Sequence, residues 1–179
     1  LGEQVKGASF AVGTIRLPRM IAGVFTGFAF GVGGYIFQTM LRNPLANPNV
    51  IGITAGSSAA AVFCIIVLQA SNTVVSIASV IGGLATVLVI YFLSKGSSFS
   101  IGRLILIGIG IQAMLNAVIN YLMLIGNTHD LPTAMRWLSG SLNGAKMDNL
   151  YPLVITVCIV ASLIIFLGKR LEMLELGEQ

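Results

Sequence analysis

Three amide side chains, spaced four residues apart, are the groups in this sequence best suited to chemistry in an apolar environment: Gln112, Asn116 and Asn120. On an α-helix, steps of four residues keep side chains on one face, with a drift of about 40° per step. They lie in an apolar run, and amides inside a membrane are costly unless they hydrogen-bond to another helix or face water. From spacing alone, hydrogen bonds between helices and a stripe that lines a path for a polar substrate are equally good interpretations.

Other reactive side chains are isolated from one another. His129 and Asp130 are adjacent, but a metal site needs more His, Cys or carboxylate ligands at suitable spacing, so we expect no metal and no other cofactor. Cys64 and Cys158 both fall in apolar runs, where we expect them to be small buried residues. The sequence contains no Ser/His/Asp or Cys/His set and no phosphate-binding glycine loop. We therefore do not expect an enzyme.

The composition is that of an integral membrane protein. Hydrophobic residues make up 56% of the 179 residues and charged residues only 9%, whereas soluble domains carry about 25% charged residues. The net charge of +4 comes from basic residues that stand singly near the ends of apolar runs, as Lys and Arg do beside membrane helices. We expect no nucleic-acid partner, because such a site would cluster basic and exposed aromatic side chains.

Five apolar runs predict an all-α fold, a polytopic transmembrane helical bundle with about five spans in a single membrane region. None of the runs contains Asp or Glu, and the lack of a carboxylate at depth weakens a proton-coupled mechanism. A long loop, 126–149, precedes the last span and contains Trp137, which we expect to be an anchor at the membrane interface. The predicted spans are residues 20–41, 50–69, 73–94, 101–125 and 150–168.

The first predicted span carries a pattern of small residues. Gly23, Gly27 and Gly31 fall four residues apart, a doubled small-xxx-small motif that lets a second helix pack closely. The segment Asn43-Pro44-Leu45-Ala46-Asn47-Pro48 follows Arg42 and cannot be helical throughout, because each proline lacks an N–H and disfavours the α region in the residue before it. We expect a structured re-entry here, followed by a second span whose Gly- and Ser-rich first half packs against protein.

Charge alone does not orient the chain, because the Lys and Arg counts of the two membrane sides are equal. Lys95, Arg103, Lys169 and Arg170 lie directly at span ends, which favours a cytoplasmic C-terminus. The first residues contain neither Met nor a signal-peptide pattern, and we expect the chain to be a piece of a longer protein.

Several motifs occur along the chain in this order: Arg16-Leu17-Pro18-Arg19, Gln38, Arg42-Asn43-Pro44-Leu45-Ala46, Gly52-Ile53-Thr54-Ala55-Gly56, the loop Trp137–Gly144 and the segment Leu174–Glu178. Together they resemble the FecCD-type permeases, which are the membrane subunits of ABC importers for iron-siderophores, haem and cobalamin. The resemblance runs nearly end to end but corresponds to helices two to six of ten, which implies a partial permease fold. Met147 departs from the family pattern, which often has a second aromatic residue there.

The resemblance implies roles for particular residues. It places residues 1–19 and the loop 126–149 outside, where Arg16 and Arg19 would dock a binding protein through its glutamates. It assigns the span 101–125 to the central path, which favours the path-lining interpretation of the three amides. The tail 171–179 would begin the ATPase-docking segment. Further implied sites are an inner gate at Ser100, Ile101 and Gly102, and ATPase coupling through Leu174, Leu176, Gly177 and Glu178.

The resemblance also implies a location and partners. The protein would be a multi-pass protein of the bacterial cytoplasmic (inner) membrane, surrounded by lipid. Its partners would be a second permease subunit, a dimer of ABC ATPase subunits that hydrolyses ATP, and an extracytoplasmic substrate-binding protein. Two alternatives stay open: a secondary carrier of small metabolites, and a non-transport scaffold or non-functional permease remnant. The motifs do not distinguish siderophore, haem and cobalamin cargo.

Overall fold

The computed structural model describes residues 11–44, 47, 49, 52–95 and 100–176, with side chains except at 148, 149 and 167–176. The described residues form a π-helical turn, Ala11–Arg16, followed by six α-helices and no strand. This confirms the all-α prediction. The helices are α1 Leu17–Leu41, α2 Ile53–Ile66, α3 Asn72–Ser94, α4 Ile101–Ile125, α5 Leu131–Ser139 and α6 Met147–Leu176.

Three helices in the described part of the chain are long and apolar enough to cross a membrane: α1 with its preceding turn, α3 and α4. Two further apolar helices are shorter, namely α2 and the stretch Leu150–Phe166 of α6. The 14 residues of α2 make a helix of about 21 Å, below the roughly 30 Å of a bilayer core. The second predicted span, 50–69, is therefore longer than the helix found there. The number of membrane crossings stays a prediction.

The long helices leave large apolar side chains uncovered. Phe30 is 76% exposed, Leu124 83% and Phe166 85%. Of the most apolar stretch of the first helix, only 6% is buried. Soluble proteins rarely expose continuous apolar surface on this scale, so these faces are suited to contact with lipid or with other membrane helices.

The chain divides into two compact units, one made of residues 46–140 and the other of residues 1–45 with 141–179. In the unit 46–140, α2 is the central helix, and α3, α4 and α5 all pack on it. Ala61 and Val62 of α2 are completely buried, as is Ala134 of α5. The expectation that the first half of α2 packs against protein is confirmed at Ala55, Gly56 and Ala59, and the second half is buried as well.

Small residues bring α2 and α3 very close together. A Cβ atom added to Gly56 would lie 1.9 Å from Thr86 Oγ1, and one added to Gly82 would lie 2.8 Å from the Gly56 carbonyl oxygen. At Gly83 the added atom would meet Ser57 Oγ at 2.4 Å. These positions therefore admit only glycine at the present helix separation, and this is the small-residue mode of packing common in membrane proteins.

In the other unit, α1 packs on α6. Ala22 and Val157 are buried, and an apolar groove of about 190 Å³ runs between the two helices past Phe28 and Ile164. The long helix α1 ends in a Schellman motif. Its residue Arg42 is left-handed, with φ of 50°, and the N–H groups of Arg42 and Asn43 donate to the carbonyls of Thr39 and Gln38, each at 3.1 Å.

Two features of the last third of the chain differ from the sequence-based expectation. The loop 126–149 contains a helix, α5, which has Pro132 in its first turn and ends at Ser139, followed by Gly140 with a φ of 72°. Proline at a helix start and glycine after its end are recognisable signals, and they were not used in the prediction. In addition, the backbone of α6 does not end near Gly168 but continues as helix to Leu176.

Candidate functional site

The face of α4 that packs within its unit consists of Gly108, Ile119 and Leu122, which are buried. Gln112 lies half-buried beside this face, and a Cβ added to Gly52 would sit 3.1 Å from Gln112 Cβ. The φ of Gly52 is 79°, so this position needs glycine both for its backbone conformation and for its close approach to α4. Gln112 is therefore positioned against the start of α2.

The other two amides of the predicted stripe, Asn116 and Asn120, lie on an exposed face of α4. Their steps of four carry them away from the packed face, as the drift of about 40° per step requires. Neither side chain hydrogen-bonds to another of the described residues. The stripe is thus divided: Gln112 lies half-buried against the start of α2, whereas Asn116 and Asn120 are open to water or to a further protein surface.

The two arginines expected at the outer mouth flank the start of α1. Both Arg16 and Arg19 are exposed, and Pro18 between them is buried. The guanidinium of Arg19 donates a hydrogen bond of 2.5 Å from Nη2 to Asn143 Oδ1. Asn143 belongs to the loop before α6, so residues 124 positions apart meet at this end of the unit.

The residues proposed for the inner gate lie at the start of α4. Ser100 precedes the helix in an extended conformation, and its carbonyl accepts a hydrogen bond of 3.1 Å from the N–H of Leu104. Ser100, Ile101 and Gly102 are all exposed. Their role as a gate stays a prediction.

Two other predicted sites fall partly outside the described residues. Of the re-entry motif, Asn43 and Pro44 are described and exposed, whereas Leu45 and Ala46 lie outside the described residues. For ATPase coupling, Leu174 and Leu176 belong to the backbone of α6, but their side chains lie outside the description, as do Gly177 and Glu178.

The predicted helix-packing stripe of α1 is mostly open within the described chain. A Cβ added to Gly23 would lie 3.7 Å from Leu142 Cδ1, an ordinary contact, while those at Gly27 and Gly31 would meet nothing within 4 Å. Close helix packing occurs instead between Gly56, in the half of α2 that was expected to pack against protein, and Gly82 of α3, for which no packing role was predicted. The role of Gly27 and Gly31 against other helices stays a prediction.

No group of three or more His, Cys, Asp or Glu suited to hold a metal occurs among the described residues. His129 is exposed. Cys64 is buried, as expected, but Cys158 is exposed, so the expectation of burial is wrong for Cys158. Sequence alone did not distinguish the two because both lie in equally apolar runs.

Long apolar helices, tight glycine packing and exposed amides together define a helical integral membrane protein. The chain belongs to the FecCD transport family, whose profile matches residues 1–179. The resemblance recognised in the motifs is thereby confirmed.

Similar proteins are permeases of several import systems. The chain is 33% identical to the ferric enterobactin transport system permease protein FepG of Escherichia coli K12, over 99% of this chain and 54% of FepG. It is 34% identical to the hemin transport system permease protein HmuU of Yersinia pestis, over 92% of this chain and 51% of HmuU. The vitamin B12 import system permease protein BtuC of Vibrio vulnificus is 30% identical, over 92% of this chain and 50% of BtuC.

A solved structure of a metal-chelate-type ABC transporter in an inward-facing conformation matches with a TM-score of 0.88 and 26% sequence identity. The match covers 99% of this chain and 56% of that chain. The chain thus spans about half the length of the relatives it matches.

Proposed function

We propose that this chain forms part of the membrane-spanning permease of an ATP-driven importer, which carries an iron-siderophore, haem or cobalamin-type chelate delivered by a binding protein. Membership of the FecCD family supports this function. So do the names of the relatives, which are permeases for ferric enterobactin, hemin and vitamin B12. The same observations favour an importer over a secondary carrier of small metabolites.

The single observation in the structure that carries the proposal is the exposure of Asn116 and Asn120. The helix α4 has 25 residues, and Asn116 lies roughly 22 Å along it at 1.5 Å per residue. An exposed amide at that depth is costly against lipid and is stabilised by water or by a polar partner. A water-filled path between two permease subunits supplies both, and the amides would offer hydrogen bonds to the polar groups of a passing chelate.

In this proposal the permease makes and breaks no covalent bonds. Two ATPase subunits dock on the cytoplasmic side near the end of α6, where Leu174 to Glu178 would contact them. ATP binding there shifts the permease between outward-open and inward-open states. Ser100 to Gly102, at the start of α4, would close the path on the cytoplasmic side. Arg16 and Arg19 would receive the binding protein outside, since rim charges steer docking and fix register.

Uptake of an ⁵⁵Fe-labelled siderophore by the full-length permease, together with its ATPase and binding protein, tests the path assignment. We expect the double change Asn116→Leu/Asn120→Leu to lower uptake on the order of tenfold, because a chelate loses polar contacts worth about 1 kcal/mol each. Ser76→Leu, which also replaces an exposed polar side chain by leucine but on α3, is the matched control and should leave uptake unchanged. Each cargo class can be offered in turn.

Two results would count against the proposal. Equal uptake by the double variant and the wild type would show that Asn116 and Asn120 do not line the path. Uptake that continues after the ATPase has been inactivated would indicate a secondary carrier, which is driven by an ion gradient.

A further inference from the structure

We propose that the loop 141–146 forms the second half of the partner-docking surface begun by Arg16 and Arg19. In this surface Asn143 fixes the guanidinium of Arg19 and Lys146 supplies a third cation, and the partner is a protein that presents several carboxylates. The inference rests on the proposed function, in which this end of the chain faces the binding protein.

The loop is held over one face of α1. Gly23 and Arg19 are four residues apart, so they lie on the same side of the helix. Leu142 packs over Gly23, with its Cδ1 at 3.7 Å from the position of an added Cβ. The loop is closed by its own turn, in which the N–H of Ala145 donates to the Leu142 carbonyl at 3.2 Å. This places Asn143 directly beside Arg19.

The contact between Asn143 and Arg19 orients the arginine without neutralising it. One guanidinium nitrogen, Nη2, donates to the amide oxygen Oδ1 at 2.5 Å. The Asn143 backbone is itself held by its N–H, which donates to Ser141 Oγ at 3.1 Å. Because an amide carries no charge, the positive charge and the other N–H donors of Arg19 remain available for a carboxylate, which guanidinium groups bind in a bidentate manner. Asn143 is therefore a positioning residue for Arg19.

Beside this contact lies a hollow of about 430 Å³, lined by residues 13–15 and by residues 143–147, including Lys146. Lys146 and Arg16 are exposed, and neither has an ion-pair partner among the described residues. None of the described side chains of this unit is a carboxylate. Three cations thus lie in or near the hollow, with no counter-charge among the described side chains of this unit, and such a cluster complements an acidic protein surface. Binding of a lipid phosphate, the alternative partner, requires only long exposed cationic side chains. It does not require an arginine whose guanidinium is held in place by a loop.

Binding kinetics of the full-length permease in nanodiscs, with the substrate-binding protein of its own transport system as the probe, test this surface. We expect Lys146→Glu to lower the association rate on the order of tenfold at low salt, because steering by charge acts mainly on association. The difference should largely vanish at about 1 M salt, where the Debye length is about 3 Å. Lys146→Arg should bind like wild type. Lys95→Glu makes the same charge change at the membrane side assigned to the cytoplasm, and should have no effect.

A double-mutant cycle isolates the role of Asn143. Asn143→Ala should speed dissociation severalfold in the wild-type background and have no effect when Arg19→Ala is already present, because the two residues act as one unit. Asn143→Asp, which would neutralise Arg19 internally, should weaken binding more than Asn143→Ala. A purely structural role of Asn143 would give the same loss in both backgrounds and overturn the assignment.

The outcomes separate this inference from the proposed function. If Arg16→Glu/Arg19→Glu abolishes binding while Lys146→Glu binds like wild type, the loop is not part of the surface and the importer proposal stands. If the wild-type permease does not bind the binding protein, the importer proposal itself fails. If Lys146→Glu reduces only the phosphatidylglycerol that co-purifies with the permease, the cations serve lipid phosphates and the inference is wrong.

Discussion

Replacement of Gly56 by alanine is expected to disrupt the packing of α2 against α3. The added methyl group would lie 1.9 Å from Thr86 Oγ1, 2.7 Å from Thr86 Cβ and 2.9 Å from the Gly82 carbonyl oxygen. Two of these atoms cannot move aside by rotating a side chain, because one is backbone and the other is a Cβ. The helices must therefore separate, and the whole contact along Gly82 and Gly83 is loosened.

The size of the effect follows from two opposing terms. Overpacking a well-packed core typically costs about 1–3 kcal/mol and occasionally more, whereas alanine in a helix is favoured over glycine by about 1 kcal/mol. At these distances we expect the upper end of the packing cost, which gives a net loss of about 2 kcal/mol or more. For 179 residues such a loss would lower the melting temperature by roughly 4–8 °C, and for a permease of the relatives' length, about twice as long, by roughly 2–4 °C.

The assay is thermal unfolding of the full-length permease in detergent, with equal protein-to-detergent ratios for all variants. Thr86→Ala in the same chain should rescue Gly56→Ala only in part, because it removes Oγ1 but leaves Cβ and the Gly82 carbonyl in place. Gly110→Ala is the matched control, since Gly110 is also helical and exposed and nothing lies within 4 Å of its added Cβ, and it should be neutral or slightly stabilising. A melting temperature of Gly56→Ala equal to that of wild type would refute the close approach of the two helices.

Three further outcomes follow from the described residues. Gly52→Ala should lower the free energy of unfolding by about 2 kcal/mol in the same melts. The reason is that Gly52 has a φ of 79° and its added Cβ would lie 3.1 Å from Gln112 Cβ. An unchanged melting temperature would show that Gly52 neither has this backbone conformation nor approaches α4 so closely. Ala134→Leu should cost about 1–3 kcal/mol, because Ala134 is completely buried, and a neutral result would contradict the packing of α5. In detergent, maleimide should label the exposed Cys158 but reach the buried Cys64 only after unfolding, and equal labelling would be inconsistent with this burial.

The long helices were well predicted because long apolar runs are an unambiguous signal. The run 101–125 coincides with α4, and 73–94 is within one residue of α3, Asn72–Ser94. A run of this length with at most one charge, Arg103 near the start of 101–125, has few alternatives to a membrane helix. The second run was overestimated at its C-terminal end, because its apolar residues continue beyond the helix into Val67 and Leu68. Hydropathy measures how apolar a segment is, not where its backbone turns.

The packing partners were harder to predict than the helices. Regular spacing singled out Gly23, Gly27 and Gly31, but spacing describes one helix face and carries no information about what lies opposite. The close contact is made by Gly56 with Gly82, on two different helices, and no periodicity within one helix reveals such a pair. For the same reason the contact of Arg19 with Asn143 could not be predicted, because it depends on the loop folding back over α1.

The helix α4 has one face that packs within its unit and another, exposed face that carries Asn116 and Asn120. The buried residues Gly108, Ile119 and Leu122 make the packing contacts of α4 within its unit, so Asn116 and Asn120 are not needed for that packing. Leu in their place would be better tolerated by lipid, since each amide at membrane depth must find water or a polar partner. An amide that the packing of α4 within its unit does not need is therefore best explained by what passes or packs against its exposed face, and not by the stability of the unit itself.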